Sequence, residues 1–133
     1  MRYLTDTNIC IYVMNERHPE VVRKFSGVSI GEIGVSAVTI AELQYGVAKS
    51  GNPEKNPRRL NEFLVPFEIL PFGVEAARIY GELRTRLERS GRPIGPLDQM
   101  IAAHALSENL VLVTNNVREF QRVEGLKLEN WMA

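Results

Sequence analysis

The feature that most limits the fold is the run Leu110-Val111-Leu112-Val113, in which four apolar, β-favouring residues follow one another without polar alternation. A strand of this kind needs cover on both faces, as in a parallel sheet with helices packed on either side. Segments with helical apolar stripes alternate with short strand-like segments along the rest of the chain. The pattern predicts an α/β protein, a three-layer α/β/α domain around a central, mostly parallel sheet.

Hydrophobic periodicity and breaker residues place the individual elements. Strands are predicted at 2–5, 35–38, 68–71, 110–113 and 127–129. Helices are predicted at 8–15, 19–25, 39–49, 57–65, 74–89 and 97–106. Pro71 should end the third strand or place it at a sheet edge, because proline cannot donate to a central ladder. The helix at 74–89 should bury one stripe, and Trp131 should anchor the end of the chain. The stripe consists of Ala77, Tyr80, Leu83 and Leu87.

Length and composition set the class of protein. The 133 residues suit one domain, 1–133, and 44% hydrophobic with 24% charged residues excludes the collagen, coiled-coil and disordered classes. No apolar run approaches the roughly 20 residues that span a bilayer, and no signal core follows the N-terminus. The single cysteine, Cys10, has no partner for an internal disulfide. We therefore expect a cytoplasmic protein without a membrane segment.

The net charge does not indicate a nucleic-acid-binding protein, since sixteen basic and sixteen acidic residues cancel. Arginines nevertheless concentrate in the second half of the chain, and Arg84, Arg86 and Arg92 are candidate contacts to RNA phosphates. The alternative is a solvated helix face with i,i+4 ion pairs such as Glu82 with Arg86, and charge alone slightly favours this alternative.

Four short polar segments are predicted where a strand gives way to a helix or where a helix begins. They contain Asp6, Glu42, Asp98 and Asn116. In an α/β sheet these positions gather into one crevice. Carboxylates crowded there repel one another unless a cation joins them, and Mg²⁺ prefers oxygen ligands of this kind. The hypothesis is a magnesium-dependent nuclease centre.

Each segment also has a purely structural explanation. Asp6 fits a helix cap, Thr39 and Glu42 fit a capping box, and Asp98 in a first helical turn complements the helix dipole. The segment 114–116 fits an Asx turn. Each explanation is sufficient alone, so the joint occurrence of all four segments is what favours the metal centre.

With these motifs the chain resembles the PIN-domain ribonucleases, and closely resembles the VapC-type toxins of bacterial toxin–antitoxin pairs. The resemblance runs nearly from end to end. It is carried by Asp6-Thr7-Asn8, by Ser36-x-x-Thr39-x-x-Glu42-Leu43-x-x-Gly46, by Gly95-Pro96-x-Asp98-x-x-Ile101-Ala102, and by Val113-Thr114-Asn115-Asn116 followed by Glu119-Phe120.

The resemblance implies a homodimeric endoribonuclease that depends on Mg²⁺ or Mn²⁺, cuts structured RNA, often tRNA, and is silenced by a cognate VapB-type antitoxin. Three constant acids of the family match Asp6, Glu42 and Asp98, as metal ligands and catalytic residues. A fourth family aspartate is replaced here by Asn116, whose carbonyl oxygen can still bind a cation, and Glu119 is the candidate for the missing charge. Thr7, Asn8 and Thr114 are candidates for orienting the carboxylates.

Other functions fit less well. A non-catalytic PIN-fold module that binds RNA or protein is the main alternative, with Asn116 as a decayed ligand, although three retained acids argue against decay. A DNA nuclease of the flap-cleaving class would need helical elements for which the chain is too short. His18 and His104 are interpreted as structural, not as an acid–base pair, and Cys10 as buried and not nucleophilic.

Overall fold

The computed structural model describes residues 1–16, 18–52 and 55–132. In this part of the chain all strand pairs form one parallel sheet in the order β3-β2-β1-β4-β5. The strands are β1 Tyr3–Thr5, β2 Ile33–Ser36, β3 Glu68–Leu70, β4 Val111–Val113 and β5 Leu128–Glu129. The helices are α1 Thr7–Met14, α2 Pro19–Ser26, α3 Ala37–Ala48, α4 Lys55–Leu64, α5 Val74–Arg89, α6 Pro96–Ser107 and α7 Val117–Phe120. The predicted α/β fold with a parallel sheet is confirmed.

Apolar side chains leave the sheet on both faces. Leu4 and Leu112 pack on one side in a cluster that includes Leu83 of α5 and Ile101 of α6. The neighbouring strand residues Tyr3 and Val113 pack on the other side with Ile9 of α1 and Val21 of α2. Because successive strand residues point to opposite faces, a strand covered on both sides must be apolar throughout. This is the physical origin of the uninterrupted run at 110–113.

The second strand begins and ends earlier than predicted, at Ile33 and Ser36 instead of 35–38. Ser36 caps α3, since its hydroxyl oxygen accepts a 3.1 Å hydrogen bond from the Val38 N–H. The predicted capping box of Thr39 and Glu42 is therefore wrong. Thr39 lies buried in the first turn and Glu42 lies one turn further on. Glu42 thus makes no local cap and is available for another role.

The long helix α5 has the predicted bounds, but its buried stripe is shifted. Ala77 is exposed, while Ala76 is buried together with Leu83 and Leu87. The predicted pair of Glu82 with Arg86 is also wrong. Glu82 accepts instead from Arg78, at 2.7 Å, four residues earlier.

Two predictions about the ends of the sheet are confirmed. The strand before Pro71 lies at an edge. Trp131 is 2% exposed and contacts Tyr3 and Phe25 with its ring edge-on. Among the helices of the described residues, none is both long and apolar enough to span a membrane.

The strand order places a crevice at the centre of the sheet. From β1 the chain moves outward to β2 and β3, then returns to place β4 on the opposite side of β1. Ligand sites of open α/β sheets lie at such a reversal, beyond the carboxyl ends of the strands. Asp6 directly follows β1 here, and its backbone N–H donates to the Val113 carbonyl at 3.0 Å.

Candidate active site

Asp6 stands at the centre of the crevice with both carboxylate oxygens engaged. Oδ1 accepts from the Ile9 N–H at 2.9 Å and so caps α1. Oδ2 accepts from the Thr114 hydroxyl at 2.5 Å. The residue is 4% exposed. The structural explanation of Asp6 as a helix cap is therefore correct, but a cap needs only one oxygen, and the second is fixed by a residue from another strand end.

The pKa of Asp6 is raised to about 6, mainly by burial and in smaller part by the negative charge of Glu42. The hydrogen bonds from Thr114 and Ile9 act in the opposite direction, because they favour the ionised carboxylate. A bound cation would stabilise the ionised form of this buried carboxylate.

Glu42 is positioned from outside its own helix. The Thr7 hydroxyl, at the start of α1, donates to Glu42 Oε1 at 2.7 Å. Thr7 and Glu42 are 35 positions apart, so this contact links α1 to α3. The carboxylate that Thr7 contacts, as predicted for an orienting residue, is therefore that of Glu42. Asn8 is exposed and makes no hydrogen bond to an acid of the cluster in the described part of the chain.

Asp98 lies half-buried in the first turn of α6. Its pKa is raised to about 6, mainly by burial and then by the charges of Glu119, Glu42 and Asp6, in that order. Carboxylates far apart in the sequence are therefore close enough in space to repel one another. The structure thus brings the three predicted acids into one electrostatic cluster.

Glu119 joins this cluster from α7. Its carboxylate accepts from the Gly95 N–H at 3.2 Å and from the side-chain amide of Asn116. Asn116 also donates its backbone N–H to the Thr114 hydroxyl at 2.9 Å. The predicted Asx turn is thus a turn closed by the threonine side chain. The Glu119 carboxylate thus lies beside Asn116, which stands where the family has an aspartate, and the Asn116 amide fixes the orientation of this carboxylate.

The candidate RNA-contacting arginines lie on or just after α5. Arg84 bonds to Tyr80 at 2.9 Å and pairs with Glu88 at 3.3 Å, while Arg86 and Arg92 are exposed. In the described residues no hydrogen bond or ion pair joins these arginines to the acidic cluster. Their role as phosphate contacts stays a prediction.

Sequence reasoning missed a chain of polar contacts that links α3 to α6 through a buried histidine. His104 of α6, fully buried, contacts Ser36 Oγ through Nδ1 and Glu108 Oε2 through Nε2, each at 2.7 Å. It links the cap of α3, the helix of Glu42, to α6, the helix of Asp98. A serine directly before a helical pattern is the signal that could have found Ser36. The expectation that His104 is structural agrees with its burial.

The donor chemistry of the cluster suits a hard cation. Every candidate ligand offers oxygen, the donor that Mg²⁺ prefers, and Mg²⁺ is usually held by one or two carboxylates with several waters. No three Asp, Glu, His or Cys side chains in the described ranges are already spaced as a complete metal cage. An ion bound here would therefore take fewer than three of these side chains as direct ligands in the described arrangement and would keep water in the remaining positions.

Comparison with known proteins supports the same reading. Residues 3–126 match the family model of the PIN domain. The chain belongs to the PIN-domain family. This PIN domain is 44% identical over 131 residues to the tRNA(fMet)-specific endonuclease VapC of Shigella flexneri, with 98% of each chain covered. It is 45% identical to ribonuclease VapC2 of Rickettsia felis, again with 98% of each covered.

Solved structures resemble this PIN domain over its whole length. VapBC2 from Rickettsia felis, bound to a DNA fragment from its promoter, gives a TM-score of 0.92 at 44% identity, with 98% of this chain and 99% of the other covered. DNA-bound VapBC from Salmonella typhimurium gives 0.93 at 39% identity, with 98% of each covered. The predicted membership among the VapC-type nucleases is confirmed.

Proposed function

We propose that this PIN domain is a toxin endoribonuclease that hydrolyses RNA phosphodiester bonds with the help of Mg²⁺, and that tRNA is its substrate class. The observation that carries the proposal is that Asp6, Glu42 and Asp98 meet in the crevice at the centre of the sheet, where the charge of Glu42 raises the pKa of both aspartates. Acids whose charges raise the proton affinity of their neighbours are costly to keep unless they act together on a cation.

Asp6 and Asp98 are the residues that would hold the metal ion, with Glu42 beside them. Mn²⁺ would be accepted by the same oxygen ligands. A bound divalent ion supplies polarisation of a phosphoryl oxygen and a lowered pKa of bound water. Glu119 would supply the charge that Asn116 lacks. The side-chain oxygen of Asn116, which accepts no hydrogen bond from the described residues, would be available to a cation or a water, because the amide nitrogen makes the bond to Glu119.

The protein's own groups orient the reaction. Glu42, held through Oε1 by Thr7, keeps its other oxygen free to orient the attacking water and to accept its proton. Asp6 cannot rotate away, because the Ile9 N–H and the Thr114 hydroxyl each hold one of its oxygens. Such outer contacts commonly change metal affinity or activity by about 10–100-fold.

Substrate and partner are proposed from the named relatives. A 44% identical endonuclease is specific for tRNA(fMet), which supports a tRNA target here. Two close structures are VapBC complexes, which supports a VapB-type antitoxin as inhibitor. An arginine from such a partner would neutralise the acidic cluster in place of the metal, because its planar fork pairs with carboxylates. We also propose a homodimer, to be checked by sedimentation equilibrium.

The test is cleavage of unfractionated bacterial tRNA by the purified protein in Mg²⁺, with and without EDTA. Asp6→Asn and Asp98→Asn should abolish cleavage, while Glu124→Gln, an exposed acid, should cleave at the wild-type rate. Sequencing the 5′ ends of the fragments maps the cut. Cleavage that persists in EDTA or in both aspartate variants would refute the metal centre. RNA binding without cleavage would support the non-catalytic alternative, and cleavage of DNA alone would support the DNA nuclease.

A further inference from the structure

A groove opens between α1, α3 and α4 directly beside the acidic cluster. Glu42 lines both the groove and the cluster. The walls are mainly apolar and come from all three helices, with Ile11, Met14, Leu43 and Leu60 among them. The groove therefore shares a wall residue, Glu42, with the proposed site of phosphate cleavage.

The size of the groove limits what it can hold. Its volume is about 250 Å³. That is many times the roughly 30 Å³ that one water occupies and slightly below the roughly 300–1,000 Å³ of sites for drug-sized ligands. Gly46 keeps part of the wall open, since a Cβ at this position would meet no atom within 4 Å. The space suits a single flat group of one or two rings.

The groove also carries polar groups, namely Asn15, Asn56 and Arg59. The Arg59 guanidinium donates to the Met14 carbonyl and to Asn15 Oδ1, both at 3.2 Å and both through one nitrogen. Within residues 1–16, 18–52 and 55–132 no partner is found for its other N–H groups, and the side-chain amides offer both donors and acceptors. Arg59 also contributes a positive charge, which complements the phosphates of a nucleic acid.

We propose that this groove holds one unpaired nucleobase of the RNA, next to the phosphate that is cut. A base has two apolar faces and one polar edge, and the groove offers apolar walls together with amide and guanidinium groups. Sequence-specific recognition of RNA usually targets bases turned out of single-stranded loops. The proposal rests on the endoribonuclease function above and assigns the base preference to these residues.

Gly46→Leu tests the site by filling the groove from its own wall. Val47→Phe fills it from the next residue of the same helix. Gly81→Leu is the matched control, because Gly81 is also an exposed glycine within a helix whose added Cβ would meet no atom within 4 Å. The readouts are the melting temperature, tRNA cleavage in Mg²⁺, and the anisotropy of a fluorescein-labelled oligoribonucleotide with the mapped cleavage sequence, measured in EDTA.

Both groove variants should bind the oligoribonucleotide about tenfold or more weakly, the scale of one lost base contact, and Gly81→Leu should bind like the wild type. Oligoribonucleotides that lack one base at a time identify the base involved. Removing that base should weaken wild-type binding by a similar factor and should have little further effect on Gly46→Leu, because both changes remove one contact.

Several results would overturn the proposal. Wild-type RNA affinity in a folded Gly46→Leu protein would do so, as would a wild-type protein indifferent to every missing base. If filling the groove weakens inhibition by an antitoxin but leaves RNA binding intact, the groove serves the protein partner instead. A wild-type protein that fails to cut tRNA refutes the proposed function. If the wild type cuts tRNA and the groove variants bind RNA with wild-type affinity, only the base site is refuted.

Discussion

The Thr114 hydroxyl donates a 2.5 Å hydrogen bond to Asp6 Oδ2 and so joins residues 108 positions apart in the chain. Asp6 follows β1 and Thr114 follows β4, the two strands on either side of the reversal in strand order. The bond holds a buried carboxylate in a fixed orientation and lowers its proton affinity. It is the most direct link between the topology of the sheet and the chemistry of the crevice.

Thr114→Val removes this donor and keeps the shape of the side chain. We expect the pKa of Asp6 to rise, because the hydroxyl stabilises the ionised form, and divalent affinity at pH 7 to fall by about 10–100-fold. Calorimetric titration with Mn²⁺ measures the affinity. Thr114→Ser restores the hydroxyl and should recover most of it. Equal affinity in the valine variant would show that Asp6 needs no such support.

Asp6→Asn should stabilise the metal-free protein at neutral pH. The folded-state pKa of Asp6, about 6, lies above its usual value of 3.8, so the stability linked to this group is present below pH 3.8 and is lost as pH rises through 6. A shift of this size corresponds to roughly 3 kcal/mol at most. Asparagine keeps the cap to Ile9 without the charge.

Thermal melts in EDTA at pH 4 and pH 7 check this expectation. The asparagine variant should gain on the wild type between the two pH values. Saturating Mg²⁺ should then raise the melting temperature of the wild type more than that of the variant, because a ligand stabilises the state to which it binds. A variant less stable than the wild type at pH 7 in EDTA would contradict the prediction.

Glu119→Gln should move the acid side of the pH–activity profile. Glu119 is the strongest charged contributor to the raised pKa of Asp98, so its neutralisation lowers that pKa. At limiting Mg²⁺ the cleavage rate of the wild type should fall as pH drops through about 6, since protons compete with the ion. The midpoint should lie at lower pH in Glu119→Gln and stay in place in Glu124→Gln.

His104→Ala should lower the free energy of unfolding by about 3 kcal/mol, through a cavity and lost hydrogen bonds. The Ser36 oxygen already accepts from Val38, so its proton is free to point at His104 Nδ1, and the Nε2 proton then faces Glu108. Glu108→Gln, at the exposed end of the chain of contacts, should cost less than about 1 kcal/mol. Urea titrations measure the free energy of unfolding of both variants. An equal loss of stability in the two variants would contradict the prediction that the buried His104 contributes more than the exposed Glu108.

Much of the fold could be predicted because strong periodicity admits one interpretation. The bounds of α5, Val74–Arg89, follow from its long amphipathic pattern, and β4 follows from an apolar run too short for a helix. The start of α3 could not be placed this way. Residues 35–38 are apolar except for Ser36 and suit either a strand or a first helical turn, and the cap by Ser36 decides between them.

The candidate site was predicted in part for a similar reason. Asp6, Glu42 and Asp98 were identifiable from their positions after strands and at helix starts. Glu119 was named as a candidate from the sequence, but its contacts could not be predicted, because they depend on how the short helix α7 leaves β4. Its contacts with Gly95 and Asn116 became visible only in three dimensions.

The sequence alone determined which segments form strands and helices and which oxygen-bearing side chains stand near their ends, because periodicity and end signals are local properties of a chain. Only the tertiary structure decided which of those side chains meet, which are buried and which hydroxyl holds which carboxylate. Burial and the repulsion between charges depend on distances in space, so the raised pKa values of Asp6 and Asp98 exist only in the folded protein.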